Sequence, residues 1–343
     1  MRMRDALTEL VKSLGWEAES DTVPGLVSQL SKMVSVSEGQ LTIAEAPSYV
    51  AKVGKAYYAS LSDAIAAAKG RTVRLMADVT GQTTIASGSS ATIDLNGHTV
   101  TNTGFVFVNN GALTISGEGT VESTNDSAIV AGNDSQTTIA SGTVRSVEGA
   151  VITGRNTGAT ITVKGGTLSA SDNAVLAGNG SGGGKNTFNV MGGTLIGAIK
   201  SAGYVACGIY CPTDDVVNFT GGVMDITGGC GICARAGKAK VTGGTIHTTG
   251  SATGKVGDSR VVVPCSAIVF DSEAAYPSLS DEDGIRVTGG TFTSEADAIA
   301  FVGEEPHITV SGGTFSSPVP EECVIAGFSP KENADGTYTV GPI

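Results

Sequence analysis

The feature that most constrains this chain is a short phrase that returns along most of its length. It reads VKGGTL at 163–168, VMGGTL at 190–195, FTGGVM at 219–224, VTGGTI at 241–246, VTGGTF at 287–292 and VSGGTF at 310–315, with weaker forms LNGHTV at 95–100, SGEGTV at 116–121 and IASGTV at 139–144. The residue after the second glycine falls at Thr120, Thr143, Thr167, Thr194, Val223, Thr245, Thr291 and Thr314, spaced 22 to 29 residues apart except for one gap of 46. A second apolar phrase follows each of these in phase: AIV at 128–130, AVI at 150–152, AVL at 174–176, GIY at 208–210, GIC at 231–233, AIV at 267–269, AIA at 298–300 and VIA at 324–326. Alternating segments such as Thr160-Ile161-Thr162-Val163 and Thr187-Phe188-Asn189-Val190 read as strands with one buried face. A unit of about 23 residues holding two or three short strands has no core of its own, so it must stack on copies of itself.

Stacking at the ladder spacing of about 4.8 Å makes a coil of parallel sheets. The predicted fold is mainly β, a single-stranded right-handed parallel β-helix with a small N-terminal helical module and an amphipathic capping helix. Residues 72 to 328 leave room for roughly eleven coils, a rod on the order of 50 Å long. The Gly-Gly pair falls where the chain must turn between strands, and two residues without Cβ permit positive φ in every coil. Leucine-rich repeats share the period, but their Leu-rich strand and Asn are missing. The expected division is 1–40 as a helical anchor or oligomerisation module, 41–70 as linker and N-terminal cap, 71–328 as the β-helix and 329–343 as a closing hairpin.

Both ends carry cap signals. Ser60-Leu61-Ser62-Asp63 has capping-box spacing, Leu61, Ala64, Ile65 and Ala68 share one helical face, and Gly70 is a stop signal. Pro318, Pro320 and Pro330 interrupt the repeat, and Asp335-Gly336 suggests a hairpin turn. Upstream, Ala6, Leu7, Leu10, Val11 and Leu14 predict one helix ending near Gly15, and Val23-Pro24 opens another with Val27, Leu30 and Val34. These stripes exceed what one small hairpin buries, with Trp16 left over. Leu7, Leu10, Val11, Leu14, Trp16, Val27 and Leu30 are therefore the expected anchor interface. The linker Val36 to Pro47 has few large side chains, so anchor and rod should be separable.

A resemblance can be stated on these residues. The stretch AYYASLSDAIAAAKGRTVRLMADVT, the phrase ATIDLNGHTVTN at 91–102, the GGTF units and the closing VIAGFSPKENADGTYTV resemble pectin-lyase-like right-handed β-helices of surface and phage proteins, over about residues 56 to 340. The stretch RDALTELVKSLGWEAESDTVPGLVSQLSKMVS is similar to the helical modules that begin head-fibre and virion-decoration proteins of tailed phages. The resemblance implies fold more than activity. Enzymes of this fold need a carboxylate cluster for Ca²⁺ with a basic residue, or paired carboxylates with His and Lys or Arg. Here Asp214-Asp215 and Asp281-Glu282-Asp283 lack an accompanying G-H-G or R-x-K phrase, and Asp297 has no basic neighbour in sequence. They read as solvated acidic loops, and an EF-type calcium spacing is absent.

Six cysteines, Cys207, Cys211, Cys230, Cys233, Cys265 and Cys323, lie in the last two fifths. Cys207-x3-Cys211 and Cys230-x2-Cys233 superficially suggest zinc, but a strand does not bring i and i+3 together. Cys207, Cys230 and Cys323 each precede an Ile by two, so they are expected in one buried column. A Cys207–Cys230 disulfide fits the ladder distance but is disfavoured in a reducing cytoplasm. His98, His247 and His307 fall in different coils, and Asn179 to Lys185 lacks Walker spacing. No catalytic residue, cofactor or metal is expected.

Charge narrows the partners. With Lys+Arg at 21 against Asp+Glu at 33, the net charge is −12, so no cationic excess exists to release phosphate counterions and a nucleic-acid partner is not expected. Asp5, Glu9 and Lys12 interrupt any signal-peptide apolar stretch, and no run of about 18 apolar residues predicts membrane insertion. The expected protein is non-enzymatic and made in the host cytoplasm. It sits on a virion surface, with the N-terminus on a capsid or tail protein and the rod toward a host-surface glycan or protein. A homotrimer is expected by analogy with fibres. The rivals are a bacterial cell-surface adhesin and a polysaccharide lyase or hydrolase.

Overall fold

The computed structural model describes residues 2–37, 40–43, 48–155, 157–180, 184–257, 261–273, 279–280 and 282–343. The repeat winds as a parallel β-solenoid of about 10 coils. Each complete coil contributes three strands, for example Thr160–Val163, Thr167–Ala170 and Ala174–Gly178. The first two join a 22-stranded sheet, and the third joins a nine-stranded parallel sheet running from Thr83–Ile85 to Ile299–Val302.

Three columns of like residues fill the axis. Ile93, Ile115, Ile139, Val163, Val190, Phe219, Val241, Val287 and Val310 are register partners along the first strands. Val121, Val144, Leu168, Leu195, Met224, Ile246, Phe292 and Phe315 stack along the second. Phe107, Ile129, Ile152, Leu176, Ile209, Ile232, Ile268 and Ile299 stack along the third. All are buried, and each full burial is worth about 1.5–3 kcal/mol. Two details of the repeat depart from the phrases as spelled. Ile129 faces Ile152 rather than Val151, because the matching triplets are Ser127-Ala128-Ile129, Ala150-Val151-Ile152, Ala174-Val175-Leu176 and Cys207-Gly208-Ile209. The last phrase, VIA, is not a third strand: Val324 bridges Val310, and Ile325 is 38% exposed. Pro318 and Pro320 precede it, and prolines cannot donate to a ladder. The count is thus nearer ten coils than eleven.

The two glycines of each turn do different jobs. Only the second adopts left-handed backbone, as at Gly166 with φ +79°. The first is needed for room: a Cβ on Gly165 would sit 2.7 Å from the Ala140 carbonyl oxygen of the coil below. The expectation of positive φ at both therefore holds for one. Turns of successive coils stack so closely that a side chain at either position meets backbone. Replacing Gly166, where a Cβ would lie 2.5 Å from the Gly142 oxygen, should cost more than the about 1–2 kcal/mol of left-handed strain alone. Gly88→Ala, with φ +74° and nothing within 4 Å, should cost only that strain. Chemical denaturation of Gly166→Ala and Gly88→Ala checks the difference.

Helix α1 (Met3–Ser13) and α2 (Val23–Met33) form the amino-terminal module, and α3 (Leu61–Ala68) caps the first coil. The Ser60 hydroxyl accepts from the Asp63 N–H at 3.1 Å, and Leu61, Ala64, Ile65 and Ala68 enter the axial core. Left-handed backbone begins at Lys69, φ 47°, one residue before the expected Gly70 stop. At the far end Phe328–Glu332 and Tyr338–Pro342 form an antiparallel hairpin, and Tyr338 and Thr339 pair with Phe315 and Thr314 to close the core. Among the described residues no helix is long and apolar enough to cross a membrane.

In the module, Val11, Leu26 and Met33 are buried, with Leu7, Leu14, Trp16, Leu30 and Val34 packed around them. Trp16 is therefore part of this small core, not left over. Leu10 and Val27 instead stand 46% and 50% exposed. Buried Gln29 settles the helix rotation: its amide donates to the Glu17 carbonyl at 2.6 Å and accepts from the Glu19 N–H at 3.0 Å. The expected linker is partly ordered, since Val34–Ser37 and Gln40–Ile43 pair antiparallel; residues 38–39 and 44–47 lie outside the described residues. Tyr49 donates to the Glu19 carboxylate and Lys55 pairs with Asp21, exposed contacts that hold the module only weakly to the cap.

Candidate functional site

A regular solenoid repeats its backbone surface, and the coils that depart from the repeat break that regularity. The chain between Thr194–Gly197 and Ala206–Cys211 is one departure. The chain between Thr245–Thr248 and Ile268–Asp271 is the other, and it contains an antiparallel hairpin, Thr253–Lys255 with Val262–Pro264, whose residues 258–260 lie outside the described residues. The intervening coil crosses the same connection with only Thr227 and Gly228. The two insertions therefore emerge on one edge, as their shared position in the repeat predicts, and they meet. Tyr204 and Lys255 form a parallel bridge. The Val205 N–H donates to the Lys255 carbonyl at 3.0 Å, and the Lys255 N–H to that of Gly203 at 2.9 Å.

Beneath them Val205, Val256 and Val263 cover a second apolar cluster holding Cys207, Cys230, Cys233, Cys265 and Tyr210. Cys207 and Cys230 are register partners, as expected, but the next rungs carry Ser266 and Asp297. Cys323 is not in this column; it ends a 3-10 turn in the C-terminal cap. The column also lies outside the axial core, because the insertions enclose what would otherwise be an outer face. Burial raises the Cys207 and Cys211 thiols, and raises Cys323 to about 12. The cysteines are free thiols; a hydrogen bond with Cys207 raises Cys230, and a hydrogen bond with Cys230 raises Cys233. These thiols stay protonated at neutral pH and are unreactive. Above them the insertions wall a crevice of about 320 Å³ lined by Glu148, Asp172, Asn173, Tyr204 and Val256. Asp172 anchors it, accepting from the Lys200 and Ser201 N–H groups at 2.6 and 3.1 Å and from the Ser201 hydroxyl at 3.0 Å.

Of the carboxylates singled out in sequence, Asp214, Asp215 and Asp283 accept hydrogen bonds from turn backbone. Asp215 is fully buried, not a solvated loop residue. It accepts from the Asn186 N–H at 3.0 Å, the Asn186 side-chain amide at 2.9 Å and the Thr213 hydroxyl at 3.4 Å. Asp214 accepts from the Lys185 N–H at 3.2 Å. Asp283 accepts from Gly237 and Ser280, Glu282 pairs with Lys238, and Asp281 lies outside the described residues. Asp297 is exposed at the end of the cysteine column. The histidines are separate: His98 lies 3.4 Å from Asp78, His247 lies 3.0 Å from Asp225, and His307 stacks on Phe270. In the Asn179 to Lys185 stretch, residues 181–183 lie outside the described residues.

Sequence reasoning missed a buried ion pair. Arg235 donates from Nε to Asp271 at 2.8 Å and from Nη1 to the Tyr210 hydroxyl at 2.5 Å, with Arg235 and Asp271 fully buried. The only signal was positional, since Arg235 directly follows the strand Gly229–Ala234 and Asp271 ends the strand Ile268–Asp271 one rung away. Among the described residues no group of three or more His, Cys, Asp or Glu side chains is placed to hold a metal ion. No family model, curated protein or solved structure matches the chain.

Asp215 makes stability depend on pH. Burial pushes its carboxyl up to about 6 against the hydrogen bonds that favour its ionised form. The native state keeps this proton up to about pH 6, whereas the unfolded chain releases it near pH 3.9, so stability falls as pH rises through that window and is level above it. The effect is about 3 kcal/mol. Denaturation midpoints at pH 4 and 6.5 should show this fall, and Asp215→Asn should flatten it.

Proposed function

We propose that the protein is a non-enzymatic binding rod on the outside of a tailed-phage particle, of the head-fibre or decoration kind. Residues 1–40 are the anchor to a capsid or tail protein, and the joined insertions are the surface offered to a host glycan or protein. The observation that carries this reading is the pairing of the insertions across the coil between them. It makes one raised, non-repeating feature on a repeating rod, with Tyr204, 39% exposed, at its crevice. Irregular chain held on a rigid scaffold is where binding residues concentrate. The anchor role is supported by the module's own small core, which leaves Leu10 and Val27 outward for a partner or for a trimer contact. The non-enzymatic role is supported by Asp214, Asp215 and Asp283, whose carboxylates are engaged by turn backbone.

The test uses purified full-length protein, a version lacking residues 1–40, and a Tyr204→Ala/Val262→Ser variant. The truncated rod should be folded, soluble and monomeric and should fail to co-sediment with particles. The variant should co-sediment but lose adhesion to host cells. Decoration by the truncated rod would refute the anchor. Cell binding without particle attachment by the full chain would favour a bacterial adhesin, and cleavage of a host-wall polysaccharide would favour an enzyme.

A further inference from the structure

The outer face of the first strands holds a different feature, away from the insertions. Through Val216–Phe219, Lys238–Val241, Gly284–Ser294 and Ile308–Phe315, outward residues stack one per rung. One column reads Asn218, Lys240, Arg286 and Thr309 in register. Lys238 stands in the neighbouring column between Val216 and Gly284, and the His307 ring, stacked on Phe270 with centroids 5.0 Å apart, lies at the side. Together they line an elongated groove of about 700 Å³.

Its charge runs against that of the whole chain. In a protein of net charge −12, three cations converge within two rungs. The nearby carboxylates are occupied. Glu282 is paired with Lys238, and the Asp283 carboxylate accepts from the Gly237 and Ser280 N–H groups at 3.1 and 2.7 Å. Among the described residues, Lys240 and Arg286 are exposed and have no carboxylate at ion-pair distance. The Lys238–Glu282 pair is solvent-exposed, so recruiting Lys238 to a stronger anion costs little.

We infer that this groove binds a tetrahedral oxyanion, a sulfate or phosphate ester carried on a polyanionic glycan. Lys240 and Arg286 stand about 4.8 Å apart along the ladder. A carboxylate that meets the planar fork of Arg286 commits both of its oxygens to it, whereas a tetrahedral ester has a third oxygen that can turn to Lys240. The Thr309 hydroxyl supplies a neutral donor on one side of the pair, and on the other stands the Asn218 amide, which gives one N–H to the Asn189 Oδ1 at 2.9 Å and keeps a second. The groove spans four successive rungs and is far larger than one ion, so the group arrives on a chain lying along the rungs. Acidic surface elsewhere repels such a chain and confines binding to this face. The inference does not rest on the virion reading, because it uses neither the insertions nor the anchor.

Binding of the full-length protein to dextran sulfate, inorganic polyphosphate, polygalacturonate and neutral dextran tests it. At least one of the first two should bind, weaken with added salt, and weaken at least about tenfold in Lys240→Ala/Arg286→Ala. Arg145→Ala, a cation on another face of the rod, should bind as the wild type does. A preference for dextran sulfate assigns a sulfated source, and a preference for polyphosphate a phosphorylated one. The inference is overturned if neither binds, if the double variant binds undiminished, or if neutral dextran binds as well. It is also overturned if polygalacturonate binds equally through Lys240 and Arg286.

Discussion

Everything in this molecule depends on each coil returning to the register of the one below. The parallel backbone ladder sets a rung of about 4.8 Å, and a slip of one residue would turn every inward side chain outward. The chain meets that demand with the Gly-Gly turn, where one glycine supplies left-handed backbone and the other admits the carbonyl beneath. Once register is held, like residues stack on like, and the axial core follows as three columns of Val, Ile, Leu, Met and Phe. The same rule places Lys240 against Arg286 and Cys207 against Cys230.

Irregularity then has a defined meaning. An insertion lengthens one connection without disturbing the rungs on either side, so its placement is a property of the repeat. Both long insertions use the same connection, and the later one reaches back over a coil to the earlier. Their meeting has a structural effect as well as a functional one. It converts part of an outer sheet face into a buried apolar cluster, which is why the cysteines under it are inaccessible and protonated.

Much of this was legible in sequence because strand alternation and glycine spacing are local signals. The solenoid, α3 with its Ser60 cap and the closing hairpin at Asp335-Gly336 follow from spacing alone. What was not legible depends on which of two neighbouring residues faces a third element. The pairing of Ile129 with Ile152 required the exact rung, and the module's inward face, Leu26 and Met33 rather than Leu10 and Val27, accompanies the hydrogen bonds of Gln29. Asp215 looked like a surface acid because nothing in CPTDDVV announces that Asn186, on the neighbouring rung, will bury and bond it. Arg235 and Asp271 likewise become partners only after the long insertion is folded out between them.

The joining of the two insertions is the point on which the functional reading turns, and amide hydrogen exchange at Val205 and Lys255 measures it directly. Both N–H groups donate across the junction, at 3.0 and 2.9 Å. Both should exchange slowly and together, at rates closer to those of the ladder amides than to those of an open loop. Free exchange at either position, with the ladder amides protected, would show that the insertions move separately and form no common surface.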